Sequence, residues 1–185
     1  MRITMCAQIS NCGAWDASMT RSIGSLLPHS VAKLLDGGRL ESKVGAAFEC
    51  LSITDGGWPY AAMISVGELL ATGQSSLRMA IWSTSTTARN LDRDRRCMLS
   101  LVHAGIGYQI RCEASPTRVV PQSDGPDLMV FDLSVVDVLE DQAPYATLSS
   151  GITYELHQPN EVLERWRRTI EALRHKTGEA SKEPD

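Results

Sequence analysis

Residues 77–101 read LRMAIWSTSTTARNLDRDRRCMLSL, and several local patterns follow one another within them. Leu77, Met79 and Ile81 alternate with Arg78, Ala80 and Trp82, the period of two that a strand imposes on its two faces. Ser83-Thr84-Ser85-Thr86-Thr87 is then an unbroken run of hydroxyls. Ala88, Arg89 and Leu91 have helical composition, and Ser85 or Thr86 can cap that helix by accepting a first-turn N–H. From Cys97 the alternation returns, with Leu99 and Leu101 against Met98, Ser100 and Val102. The stretch encodes strand, polar loop, short helix and strand.

Outward from it, further strands are expected on both sides. Ala46 to Thr54 carries Phe48, Leu51 and Ile53, and Asp55-Gly56-Gly57 follows as a turn. Tyr60 to Val66 is almost wholly apolar, Gly67 allows a bend, and Glu68 to Thr72 is expected to continue the hairpin edge. After Gly105-Ile106-Gly107, Tyr108, Ile110 and Cys112 alternate with Gln109, Arg111 and Glu113. Val130 to Glu140 shifts phase at Val136, which reads as a strand with a bulge, although 131, 135 and 138 also fit a helix. Ile152, Tyr154 and Leu156 are expected to form a last short strand. Short helices are expected from Ser30, capped by it, and around Leu40 to Val44. Asn160 is expected to cap a longer one, whose stripe is Val162, Leu163, Trp166, Ile170 and Leu173. Short strands separated by turn chemistry mark an all-β barrel or sandwich.

The chain has 185 residues and a formal net charge of -4. That length fits one domain with terminal extensions. We expect a flexible arm over 1–25, one domain over 26–176 and a disordered tail over 177–185. The charge gives no global signal for nucleic acid or an anionic membrane. Arg89, Arg93, Arg95 and Arg96 cluster, but Asp92 and Asp94 interrupt them, which reads as a solvated helix face. No apolar run approaches the roughly 20 residues needed to span a bilayer. Met1 to Ser30 lacks the apolar core of a secretory signal, so a cytoplasmic location is expected. Cys50, Cys97 and Cys112 fall in apolar-patterned strands and are expected to be buried thiols. No C-x-x-C and no His–Cys pair has zinc spacing, so no metal site is expected. The histidines at 29, 103, 157 and 175 are scattered, and no catalytic side chain announces itself.

Three segments together resemble the pyridoxamine 5'-phosphate oxidase-like FMN-binding split β-barrel family. Leu51-Ser52-Ile53-Thr54-Asp55-Gly56-Gly57-Trp58-Pro59 is similar to that family's first hairpin turn. Trp82 to Leu91 resembles its strand, phosphate loop and helix. Ala143-Pro144-Tyr145-Ala146 and Ser149 to Ile152 resemble its C-terminal part. The resemblance covers roughly residues 30 to 175 and lies in the order and spacing of short motifs.

The resemblance implies a mainly β chain: a six-stranded antiparallel split barrel with short N-terminal helices, a loop and helix after the third strand, and a C-terminal helix. It implies a homodimer with FMN at the subunit interface. Backbone contacts to the flavin ring would fall on Ala62, Met63, Ile64 and Ser65. The phosphate site would fall on Ser83, Thr84, Ser85, Thr86, Thr87, Arg89 and Asn90. Trp82, beside the loop, could border the ring by stacking. Where the true oxidases carry an arginine at the start of the second strand, this chain has Ala61 or Ala62; their Arg-Lys pair falls at Thr86-Thr87, and the C-terminal Arg-x-His is absent.

The hydroxyl loop remains suited to an anion without those cations. Exposed N–H groups at a helix start attract negative charge, and Arg89 could add a bidentate contact. The plainer reading is a Ser/Thr-rich turn that caps the helix. The expected function is an FMN-binding oxidoreductase acting on a small molecule or drawing on a nicotinamide reductant. The alternatives are a non-catalytic flavin- or haem-binding protein and a reductase using deazaflavin F420.

Overall fold

The computed structural model describes residues 20–123 and 125–175. Eight strands form one antiparallel sheet: β1 (Thr20–Ser22), β2 (Ala47–Ile53), β3 (Pro59–Ser65), β4 (Leu69–Gly73), β5 (Ser76–Trp82), β6 (Arg96–His103), β7 (Ile106–Val120) and β8 (Leu128–Asp141). The order across the sheet is β3-β2-β6-β7-β8-β5-β4, with β1 added to β8. Helices α1 (His29–Leu34), α2 (Thr86–Asp94) and α3 (Pro159–Arg174) accompany it, with a 3-10 turn at Leu40–Lys43.

The connectivity forces the sheet to curl. β3 and β4 lie at opposite ends of the strand order, with no ladder between them. Yet only Val66, Gly67 and Glu68 separate Ser65 from Leu69. Four Cα steps reach no further than roughly 14 Å. The two end strands therefore meet at this turn, and the sheet is a barrel closed covalently there and split elsewhere. Glu68 pins the turn: its Oε2 accepts the Ser65 N–H and the Ser65 hydroxyl, both at 2.7 Å.

The interior follows from strand alternation. Phe48 and Cys50 of β2, Leu77, Met79 and Ile81 of β5, Leu99 and Leu101 of β6, and Tyr108, Ile110 and Cys112 of β7 are all buried. α2 plugs one end with Ala88 and Leu91. α3 covers the outside of the β3–β4 turn with Leu163, Trp166, Ile170 and Leu173. Gly67 is required there, because a Cβ would sit 2.0 Å from the Trp166 ring. Two guanidiniums hold the far end of α3. Arg78 Nη1 donates to the Leu173 carbonyl at 2.8 Å, and Arg118 Nη2 donates to the Ala172 carbonyl at 2.5 Å. Both satisfy carbonyls that a helix end leaves without partners.

Several expectations change in detail. The barrel has eight strands where six were expected, because β1 pairs with β8 and β4 separates from β3. Thr20–Ser22, within the expected arm, is that added strand; residues 1–19 and 176–185 lie outside the described chain. Residues 68–72 do not extend the β3 hairpin but pair with β5. Ile152 to Leu156 is not a strand, since no neighbouring ladder takes it. Residues 130–140 are a strand, with register breaks against β7 between Arg111 and Cys112 and between Pro116 and Arg118. α1 begins one residue before Ser30, and α3 begins at Pro159, whose missing N–H costs nothing in a first turn.

Candidate functional site

The hydroxyl loop lies where β5 leaves the sheet. The Ser83 N–H donates to the Asp127 carbonyl and the Ser85 N–H to the Trp82 carbonyl, a tight turn that reverses the chain into α2. Ser85 is the N-cap, its Oγ accepting the Ala88 N–H at 3.1 Å. The N–H groups of Thr86 and Thr87 have no partner among the described residues.

Arg89 curls back over this helix start. Its Nη1 donates to the Thr84 carbonyl at 2.6 Å and its Nη2 to the Thr86 Oγ1 at 3.0 Å, with the side chain on the surface. A cation at a helix N-terminus opposes the helix dipole. The guanidinium has five N–H donors, of which this arrangement occupies only part. Exposed donors of one sign are thus gathered beside the unpartnered amides, an arrangement complementary to an anion.

The other expected residues divide into two groups. Trp82 is 53% exposed and stands beside the loop, as does Thr84. Ser83, Ser85 and Thr86 are half-buried. On the terminal strand β3, Met63 is 50% exposed and Ala62 half-buried, and one row of backbone groups faces no neighbouring strand. Ser65 is held by Glu68. Ile64, Thr87 and Asn90 turn inward. Asn90 donates from Nδ2 to the buried Ser52 Oγ at 3.0 Å, which ties α2 to β2 across the split. Arg93 adds a second tie by donating to the Ile53 carbonyl. α2 therefore bridges from the end of β5 to β2, with its amino end at the hydroxyl loop and its middle and carboxyl half tied to β2.

Trp58, in the turn between β2 and β3, is exposed, while Trp166 is the buried anchor of α3. The arginine cluster is ion-paired on the surface: Arg95 with Asp92, Arg96 with Asp94 and Arg93 with Asp55. The Arg96 guanidinium holds the Asp94 carboxyl below its usual value.

Two features escape strand-by-strand reading. Glu68 is one; burial pushes its carboxyl pKa up against the Ser65 hydrogen bonds that lower it. The other is a cleft of about 630 Å³ on the outer face of β2, β6 and β7, apart from the hydroxyl loop. Leu51, Ile53, Pro59, Met98 and Val136 contribute to its wall. The signal was present, because Leu51 and Ile53 place apolar side chains on the outward phase while Ser52 points in.

No protein-family model matches the chain. The uncharacterized protein YclD of Bacillus subtilis (strain 168) is 37% identical over 142 residues, covering 77% of this chain and 92% of its own length. Solved structures with lower likeness include an F420 reductase, at 12% identity and TM-score 0.45 over 60% of this chain and 98% of its own. An FMN-binding protein from Syntrophomonas wolfei has 15% identity and TM-score 0.40, over 58% and 86%. A heme binding protein from Mycobacterium smegmatis has 13% identity and TM-score 0.43, over 77% and 62%. The curled antiparallel sheet is split between its end strands β3 and β4, and at 37% identity over 77% of its length the chain belongs to one family with Bacillus subtilis YclD.

Proposed function

We propose that this protein binds FMN, with the phosphate at Ser83–Thr87 and Arg89 and the ring along β3, and that it acts as an oxidoreductase. The observation that carries the reading is the Arg89 guanidinium folded onto the amino end of α2. Alone, that cation is electrostatically misplaced; with a phosphate between it and the Thr86 and Thr87 amides, both it and the helix dipole are satisfied.

The donors fit a phosphate: two amides, the hydroxyls of Ser83 and Thr84, and a planar guanidinium. The N–H and the carbonyl of Ser65 are already bonded to Glu68; the outward backbone row of the rest of β3, with Met63 exposed, supports hydrogen bonding to a ring edge, and Trp82 supports an aromatic border. Side chains of Ile64, Thr87 and Asn90 would support the site from the interior rather than touch the ligand. When bound, the flavin supplies the hydride or electron transfer, from a nicotinamide reductant or a small-molecule substrate. The protein's own task is to hold the ring against β3 and keep the phosphate fixed.

The same reading includes a homodimer. Tyr60 and Met63 of β3, with the neighbouring Trp58, place large apolar side chains in solvent, and a second copy would bury them. Size-exclusion chromatography with light scattering is expected to give twice the chain mass, and Met63→Glu to shift it toward the monomer. Among the described residues no helix is long and apolar enough to cross a membrane. The free buried thiols support a reducing, cytoplasmic setting.

Titration with FMN, followed by flavin fluorescence quenching, tests the site. Arg89→Ala is expected to weaken binding about 10- to 100-fold, the range for losing a charged hydrogen-bond partner. Unchanged affinity would remove Arg89 from the site. Binding of F420 or haem with no response to FMN would overturn the choice of cofactor.

A further inference from the structure

We propose that Cys97 and Cys112 are an oxidisable pair that closes to a reversible disulfide when the protein meets a hydroperoxide. Among the described residues three cysteines share the barrel interior: Cys50 on β2, Cys97 on β6 and Cys112 on β7, all free thiols. Their relation to one another is set by strand register. Cys97 stands directly opposite Cys112 in the antiparallel β6–β7 ladder. Directly opposite residues have Cα atoms about 4.5–5.5 Å apart, inside the separation that a disulfide accepts. Both side chains point to the same face, since Cys97 shares the buried phase of β6 with Leu99 and Cys112 that of β7 with Ile110.

Cys50 is placed differently. Its opposite number on β6 is Leu99, two residues from Cys97. It therefore meets Cys97 on a diagonal, where Cα separations are about 7–8 Å, beyond the usual disulfide span. Cys50 can hydrogen-bond to Cys97 but is badly placed to bond covalently with it. The central thiol is also the one most easily ionised. Hydrogen bonds from Cys112 and then Cys50 pull the Cys97 pKa below its ordinary value. The hydrogen bond to Cys97 and burial push Cys50 and Cys112 up. Cys97 is 6% and Cys112 3% exposed, and both residues contribute to the wall of the cleft on β2, β6 and β7.

The chemistry balances with hydrogen peroxide as oxidant. The Cys97 sulfur attacks one peroxide oxygen, the O–O bond breaks, and the other oxygen leaves as water with the Cys97 proton. The Cys112 sulfur then attacks the sulfenic sulfur of Cys97, the S–O bond breaks, and the hydroxyl leaves as water with the Cys112 proton. Two electrons pass from the sulfur pair to the peroxide, and a thiol reductant reverses the bond.

The sequence makes the test direct, because Arg96, Arg111 and Arg118 place the two cysteines in separate tryptic peptides, 97–111 and 112–118. The full chain is exposed to hydrogen peroxide, alkylated in denaturant, digested and mapped by mass. The expected product is a 97–111/112–118 linked pair, lighter by two hydrogens than its reduced parts and lost on reduction. Cys50→Ser is expected to keep this link. Two separately alkylated peptides, a link to the Cys50 peptide 44–78, or sulfinic acid without any link would each overturn the proposal.

Discussion

Glu68 is a buried carboxyl that the N–H and the hydroxyl of Ser65 keep in place. It holds the turn where the ends of the sheet meet, and burial raises its pKa above the ordinary value of 4.5. The folded chain therefore binds this proton more tightly than the unfolded chain. The contribution is fully present below the unfolded pKa and is lost as pH rises through the raised folded value. Urea midpoints for Glu68→Gln, which keeps an oxygen acceptor for Ser65, are expected to fall less steeply than wild type over that interval. A slope unchanged by the substitution would contradict the assignment. Ala104 is a second residue-scale case. With Gly105 it forms the two-residue turn between β6 and β7, at φ of 52° where a Cβ is unfavourable. Ala104→Asn, which tolerates that conformation, is expected to stabilise by about 0.5–1 kcal/mol in thermal unfolding. Neither effect was legible in the sequence, since both depend on a backbone conformation set by distant pairing.

At the scale of elements, the strands were read where alternation and burial coincide, as in β5 and β6. The reading failed where alternation has another cause. Tyr154 and Leu156 pack against the core, Tyr154 meeting Trp166 edge-to-face at 6.5 Å between ring centroids, while Ile152 is exposed. Alternation without a neighbouring ladder does not make a strand. β4 was misjudged for a related reason: apolar content does not say which neighbour a strand takes. The apolar stripe of α3 was legible, but the glycine it rests on was read only as a bend. Gly67→Ala drives a methyl into Trp166, and a loss of about 3 kcal/mol is expected by denaturant unfolding. A loss below about 0.5 kcal/mol would mean that α3 can lift away from the turn without cost.

For the whole molecule, topology and function meet at the split. The short β3–β4 turn closes one side of the barrel, and α2 crosses the gap to reach β2 through Asn90 and Arg93. The amino end of α2 stays at the end of β5, capped by Ser85. The hydroxyl run and its cap were visible in the sequence, because capping chemistry is local. The folding-back of Arg89 and the inward turn of Asn90 were not, because a composition pattern does not fix which side chains a helix spends on its own supports. The most direct test compares FMN with riboflavin, which lacks the phosphate, in wild type and Arg89→Ala by fluorescence quenching. FMN is expected to bind wild type about 10- to 100-fold more tightly than riboflavin, and that difference to shrink to within a few-fold in the variant. Equal affinity of the two flavins for wild type, or a difference that survives loss of Arg89, would contradict an anion site at the amino end of α2.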